Sequence, residues 1–426
     1  MYSAPPELRT EIPGPRSVEL LARLERTECP EVTCLSPLPV VAERASGANL
    51  FDVDGNRLVD LVGGFGAAAL GYAHPEIVET TRLQAATLPH TLGDVFPARV
   101  KIELLERLSE RLSRGGIELG GGILSSSGSD AVESALKTAL VATGRAGVIA
   151  FEGAYHGLGI GALDLAHRAL FRDPFRARLA EQTWFAPFGD AAAVRALTRE
   201  HTVGAIFVEP IQGRGGIRPA PPGFLAELRQ IADTCGALLV FDEIYTGLGR
   251  CGDWLACDHD GVVPDVVVLG KALGAGLPIS ACLGRREIMQ RWPRSDGEAI
   301  HTSTHLGSPI GCAVALRVLD VIERDALVER SRAIGDEMRD RAQAALAASP
   351  HVAGVRGRGL MIGIELHDPA RARAVVGAAL ARGWIVLPEG ERGNVLGLTP
   401  PLTIGRDLLA AAIDCIAALI EAPLDR

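Results

Sequence analysis

Aromatic residues are scarce, at 4% of a 426-residue chain (11 Phe, 4 Trp and 4 Tyr). In so poor a background, an aromatic ring set between glycines reads as a stacking surface rather than core filler. No apolar run approaches the roughly 18 to 20 residues that span a bilayer, which excludes a transmembrane helix. The opening MYSAPPELRTEIPGPRS has no basic start followed by an apolar core, so no signal peptide is expected and the location reads as cytoplasmic. Among the eight cysteines (Cys29, Cys34, Cys235, Cys251, Cys257, Cys282, Cys312 and Cys415) there is no C-x-x-C pair. No histidine cluster completes a zinc spacing either, so neither a disulfide framework nor a metal is expected. Cys235, Cys282, Cys312 and Cys415 stand in apolar stretches and read as buried reduced thiols. Basic residues number 43 against 52 acidic, a net charge of −9, which disfavours nucleic acid as a partner. Internal repeats and low-complexity linkers are absent.

What is present is an ordinary globular composition, 47% hydrophobic and 22% charged, long enough for two or three domains. Short apolar runs at Gly147–Phe151, Ala205–Val208, Ala237–Phe241, Val266–Leu269 and Ile279–Leu283 alternate with helical patterns such as Asp130–Val141 and Phe224–Cys235. That rhythm predicts an α/β fold with a mostly parallel sheet covered on both faces. Two of the runs end in an acid, Val208 before Glu209 and Phe241 before Asp242, at the strand ends where open α/β sheets bind ligands. After residue 320 the texture changes. Leu319–Ala348 reads as one long amphipathic stretch, followed by strand candidates Gly359–Glu365, Trp384–Leu387 and Val395–Leu398 and a last helix near Arg406–Ala422. Asp54-Gly55-Asn56 predicts a hairpin turn. The expected division is a large domain over 70–320, with 1–69 and 321–426 forming a smaller α+β domain.

Four segments carry candidate chemistry. Lys271 follows the run Val266–Leu269 inside a glycine-rich turn. There its amine is either desolvated enough to form a Schiff base or reaches water along a stem that crosses the turn. A P-loop is excluded, because the earlier glycine is missing and Ala272 stands where Ser or Thr is required. Asp242 ends another run and would either hold the N–H of a pyridinium ring or cap the next turn. Ser127-Gly128-Ser129-Asp130 opens a strong helical pattern, as a phosphate cradle or as a plain Ser N-cap. The spacing G-x-S-x-G is absent, which disfavours a serine hydrolase. Gly153-Ala-Tyr155-His156-Gly157 offers an aromatic ring between glycines.

In this order, these segments resemble the class III (ornithine and ω-amino acid type) aminotransferases, fold type I enzymes dependent on pyridoxal 5′-phosphate. The resemblance runs from Phe51-Asp-Val-Asp54-Gly55 to Thr399-Pro-Pro401-Leu-Thr-Ile404 and includes Glu209-Pro-Ile-Gln212-Gly213, Gly270-Lys271-Ala-Leu-Gly and Ser303-Thr304…Pro309. It implies a seven-stranded type of sheet and a homodimer with shared active sites. Lys271 would form the Schiff base and shuttle the proton between Cα and C4′, while Asp242 would pair with the pyridine nitrogen. Tyr155 would stack on one face of the ring and Ile244 on the other, with His156 beside the cofactor. Gly128, Ser129 and Thr304 would hold the phosphate, Thr304 reaching in from a second subunit. Phe65 falls where family members place an aromatic side chain in the substrate pocket.

Three positions depart from the family pattern. The glutamine that commonly follows the aspartate by three residues is Tyr245, whose hydroxyl could substitute. The arginine expected before the Pro-Pro motif, which grips a substrate α-carboxylate, is Gly397; the glutamate that pairs with it is Arg214. Arg214 either supplies the cation for a substrate carboxylate or faces solvent. The missing arginine leans away from a dedicated ornithine or acetylornithine enzyme and toward an ω-amine, diamine or amino-sugar type of substrate. An amine donor and a carbonyl acceptor are the expected partners. A racemase or epimerase of the same family is the alternative reaction. A non-catalytic binding protein is disfavoured because Lys271 and Asp242 are both present.

Overall fold

The run Val266–Leu269 carries no polar residue because both of its faces are covered. Val266 and Val268 join one apolar cluster with Ala131, Ala135 and Val240, whereas Val267 and Leu269 join another with Leu225, Leu239 and Phe241. The helices Gly128–Thr143 and Phe224–Cys235 supply these two coverings. In the computed structural model, which describes residues 3–33 and 39–423, this strand belongs to a seven-stranded sheet. Its order is Gly121–Ser125, Ser280–Gly284, Val266–Leu269, Leu238–Asp242, Val203–Val208, Gly147–Phe151, Thr183–Ala186. Only Ser280–Gly284 runs antiparallel to its neighbours. The carboxyl ends of the parallel strands therefore lie on one edge, where loops carrying polar side chains converge.

The two ends of the chain meet in a second sheet. Asn49–Asp52 and Arg57–Asp60 form the expected hairpin, its turn held by Asp52, whose carboxylate accepts from the N–H groups of Asp54 and Asn56 at 3.0 and 2.8 Å. Trp384–Ile385 then pairs in parallel with Arg57–Asp60, in the register Trp384 to Val59. A further four-stranded antiparallel sheet runs in the order Val352–Arg358, Met361–Leu366, Val395–Leu398, Leu387–Glu389.

The long stretch Leu319–Ala348 is not one helix but parts of two, Pro309–Arg324 and Leu327–Leu346. Ala326, at φ +49°, turns the chain between them. The turn lets Val321 and Ile322 on one side, and Leu327 and Val328 on the other, all reach the core. Trp384–Leu387 likewise divides into two short strands in different sheets. The strand Gly121–Ser125 begins with two glycines because neighbours fill their side-chain space: a Cβ on Gly121 would lie 2.4 Å from Met289 Cβ, and one on Gly122 2.6 Å from Leu105 Cδ2. Cys34 lies outside the described residues; Cys282 and Cys312 are buried as expected, whereas Cys235 and Cys415 are half-buried. Among the described residues no helix is long and apolar enough to cross a membrane.

Arg250 ties the main sheet's loops to the rest of the molecule. Its side chain is 1% exposed and donates to the carbonyls of Leu360 and Pro400. Its own carbonyl accepts from Leu360 N–H and Ser331 Oγ at 3.0 and 2.9 Å. Replacing the guanidinium with an apolar side chain strands two buried carbonyls. Arg250→Met is expected to destabilise the protein by about 2–5 kcal/mol, read as a lowered midpoint in urea unfolding; an unchanged midpoint would show that water replaces these bonds.

Candidate active site

Five loops at the carboxyl edge of the main sheet, with the loop of Phe65 from the second sheet, enclose a cavity of about 430 Å³. Phe65, Gly128, Ser129, Tyr155, His156, Arg214, Asp242, Ile244, Tyr245 and Lys271 all line it, together with Gly157, Leu158 and Glu209. Thr304 does not: it is exposed and stands outside the cavity of its own chain.

Asp242 closes the strand Leu238–Asp242 and is 4% exposed. One carboxylate oxygen lies 2.7 Å from His156 Nδ1 and the other accepts from Ile244 N–H at 3.0 Å. Burial pulls the His156 imidazole down, but the hydrogen bond and charge of Asp242, with the charge of Glu209 added, hold its pKa above the ordinary value. Its Nε2 is buried without a hydrogen-bond partner. Glu243, the next residue, faces away and accepts from the N–H groups of Ala256 and Cys257 at 3.0 and 2.9 Å.

Lys271 follows the neighbouring strand after Gly270 and adopts φ +38°, a left-handed conformation that costs a side-chain-bearing residue of order 1–3 kcal/mol. Burial holds its amine below the usual lysine pKa, against the opposing pull of Asp242, Glu209 and Glu389. The Nζ lies 4.4 Å from the centroid of the Tyr245 ring. That ring is wedged between two glycines: a Cβ on Gly66 would lie 2.6 Å from it, and one on Gly213 2.4 Å. The Tyr245 hydroxyl is 3.0 Å from Thr399 Oγ1. Its hydroxyl is engaged across the sheets, and the ring face is what meets the lysine.

At the other end of the cavity, Gly128 and Ser129 begin the helix Gly128–Thr143. Ser127 and Asp130 cap it reciprocally, leaving the positive helix end open to the cavity. Gly128 also lets Ile244 approach, since a Cβ there would lie 2.9 Å from Ile244 Cδ1. Ser129 Oγ accepts from Gly159 N–H at 2.9 Å, binding the loop after Tyr155 to this helix. Glu209 secures the same loop from below: its carboxylate accepts from Tyr155 N–H at 3.0 Å and Gly213 N–H at 3.1 Å. Burial raises Glu209 to about 7, despite the pull of His156 and these two bonds. Its place directly after Val208, at the end of a buried run, already puts Glu209 at the ligand edge in the sequence, and in the structure it is a carboxylate on the cavity wall that holds backbone N–H groups.

Phe65 sits at φ +56° in a loop gathered by Asp60, which accepts from the N–H groups of Val62, Gly63 and Gly64 and from the Tyr72 hydroxyl. The Arg214 guanidinium lies 5.5 Å from the rings of both Phe65 and Tyr155. It lines the cavity with its side chain 30% exposed, and among the described residues its ion-pair partner is Glu389, a residue the sequence does not single out.

A desolvated lysine amine, a buried carboxylate–imidazole pair and an open helix N-terminus on one cavity form a site for amine chemistry on a phosphorylated ring. Comparison with known proteins agrees. The family model for class III aminotransferases matches residues 34–420. The chain is a class III aminotransferase. It is 36% identical over 378 residues to the acetylornithine aminotransferase of Methanosarcina mazei, covering 89% of this aminotransferase and 91% of that one. It is 35% identical over 444 residues to the 4-aminobutyrate aminotransferase of Mycobacterium leprae, covering 97% and 98%. Among solved structures it resembles the ornithine aminotransferase of Toxoplasma gondii, with a TM-score of 0.86, 30% identity and coverage of 95% and 94%. The aminotransferase has the fold type I architecture and depends on pyridoxal phosphate, as its family does.

The imidazole of His156 reports directly on Asp242. In the aminotransferase its ¹⁵N resonances are expected to titrate above the ordinary value of about 6.5, and in Asp242→Asn below it, because burial then acts with less opposition. Equal titration in both proteins would remove Asp242 as the cause.

Proposed function

We propose that this aminotransferase moves the amino group of an ω-amino acid to an oxo acid, with Lys271 as the reacting amine and Arg214 as the anchor for the substrate carboxylate. The observation that carries this reading is Arg214. Its guanidinium lines the same cavity as Lys271, and its Nε is buried without a hydrogen-bond partner. A carboxylate would satisfy it in the forked geometry that suits arginine. A diamine or an amino sugar brings no carboxylate, so Arg214 narrows the substrate range expected from the departures alone. Relatives named for acetylornithine, 4-aminobutyrate and ornithine support an amine carried at the end of a carbon chain.

The residues present fit the cofactor of the family. The helix end at Gly128 and Ser129 would hold its phosphate, Asp242 its ring nitrogen, and Tyr155 and Ile244 its two faces. When bound, pyridoxal phosphate supplies an aldehyde carbon that accepts amines and an electron-poor ring that draws electrons from the adjacent C–H bond. His156 is a positioning residue, fixing the orientation of the Asp242 carboxylate. Nζ of Lys271, held below its ordinary basicity by burial, is available as an unprotonated amine and as the group that takes up and returns the substrate proton. The Tyr245 ring, 4.4 Å from Nζ, covers that amine on one side. Thr304, exposed on its own chain, would reach the phosphate site of a second copy. The exposed apolar side chains Leu92, Val95, Phe96, Ile160 and Ile300 support such a homodimer.

Borohydride treatment of the holoenzyme is expected to leave the cofactor's mass on the Lys271 peptide, and Lys271→Ala to lower turnover by roughly 10²–10⁴-fold or more; label on another lysine would overturn the assignment. Arg214→Gln is expected to raise KM for 4-aminobutyrate by about 10–100-fold, about 1.5–3 kcal/mol, while leaving a simple alkylamine nearly unaffected. The reaction type is checked by running amine donors in deuterated buffer. An oxo product is expected, whereas deuterium at Cα with an inverted donor would mean the proton returns to the other face.

A further inference from the structure

Glu389 is 5% exposed, and among the described residues a single ion pair, to Arg214, faces its charge. It ends the edge strand Leu387–Glu389, beside Val395–Leu398, and its side chain lies across Gly397. A Cβ on Gly397 would come within 2.8 Å of Glu389 Cγ, so the absence of a side chain there makes room for this carboxylate. Among the described residues its ion-pair partner is Arg214, with Nε 3.8 Å from Oε2. That is close enough for attraction but too long for a hydrogen bond, and Arg214 Nε remains unsatisfied. The backbones are joined more firmly than the side chains: Gly390 N–H donates to the Arg214 carbonyl at 3.0 Å. Arg214 can therefore turn its guanidinium while its main chain stays beside Glu389.

We propose that Glu389 is the displaceable counter-ion of Arg214: a substrate carboxylate enters by drawing the guanidinium away from Glu389, and Glu389 takes up a proton from water as it loses its partner. This rests on the reading of Arg214 as the carboxylate anchor. A buried carboxylate left without its cation is costly, and neutralising it by protonation is the cheaper outcome. The other charged groups around Glu389 are Arg168, which donates to the carbonyls of Gly390 and Glu391 at 3.0 and 2.9 Å, Lys271, and the like-charged Glu209. Burial raises Glu389 to about 7 even with Arg214, Arg168 and Lys271 pulling it down, so a small further loss of positive charge makes protonation complete near neutrality.

The sign of the pH effect follows from linkage. Below about pH 7 Glu389 already carries its proton before the carboxylate arrives, and binding is independent of pH. Above that value binding must take up a proton, so affinity falls by up to about tenfold per pH unit until the pKa of the liganded state is passed. A substrate without a carboxylate leaves the pair intact and shows no such fall.

Glutarate, which has neither an amine nor an oxo group, serves as the probe. Its binding to the holoenzyme is measured by calorimetry at pH 6.5 and 8.5, in two buffers of different ionisation enthalpy to count protons. The wild type is expected to take up close to one proton at pH 8.5 and to bind roughly tenfold or more weakly there than at pH 6.5. Glu389→Gln is expected to take up none and to bind equally at both values. Glu389→Asp, which keeps the titrating group, is expected to retain proton uptake. If Glu389→Gln melts like the wild type and keeps both its proton uptake and its pH dependence, Glu389 is not the counter-ion. Arg214→Gln separates the two readings. Unchanged glutarate affinity in that variant overturns the carboxylate anchor, and the counter-ion with it. Lost affinity there, with a silent Glu389→Gln, overturns the counter-ion alone.

Discussion

The site depends on one constraint, the cost of holding ionisable groups out of water at the carboxyl edge of a buried parallel sheet. Strands covered on both faces deliver whatever follows them into a poorly solvated space. Asp242 ends one such strand, Glu209 directly follows another, and Lys271 follows a third after a glycine. Each must then be compensated by a neighbour or give up its charge. His156 compensates Asp242, and two backbone N–H groups partly compensate Glu209. Burial disfavours the charged form of Lys271, which has no hydrogen-bonded partner among the described residues. The fold makes the amine reactive chiefly by denying it solvent.

A second layer of the design is steric. Tyr245 brings an aromatic face to Lys271 because Gly66 and Gly213, from loops far apart in the chain, leave room on either side of its ring. Its hydroxyl then reaches Thr399, whose own Oγ1 donates to the Val62 carbonyl at 2.9 Å. One side chain thus joins the lysine to loops from both ends of the chain. The same loops carry Phe65 and Arg214, so the walls that meet substrate are braced against the group beside the reacting amine.

Strands buried on both faces are continuous apolar runs, and for that reason Gly147–Phe151 and Val266–Leu269 were legible from the residues alone. Gly121–Ser125 was not, because its first two residues leave their space to Met289 and Leu105, and that demand is set by elements distant in sequence. The break at Ala326 was hidden for a related reason: both flanking helices continue one amphipathic pattern, and only the shape of the core decides that the chain must turn. At the site, Lys271 and Asp242 stood out as polar residues ending apolar strands. Glu389 did not, since a glutamate between Pro388 and Gly390 has the look of any surface turn. The orientation of Tyr245 was also out of reach, because it is set by Thr399, 154 residues away.

The fit of Glu389 over Gly397 has an evolutionary consequence. A long side chain at 397 and a carboxylate at 389 compete for the same volume, so the two positions cannot change independently. Installing an arginine at 397 while Glu389 stays forces an overlap. Removing Glu389 first leaves Arg214 without its anion. Either single change disturbs the packing or the charge pair, so the two charge arrangements differ by linked substitutions. Positions 214, 389 and 397 are therefore expected to covary as a set.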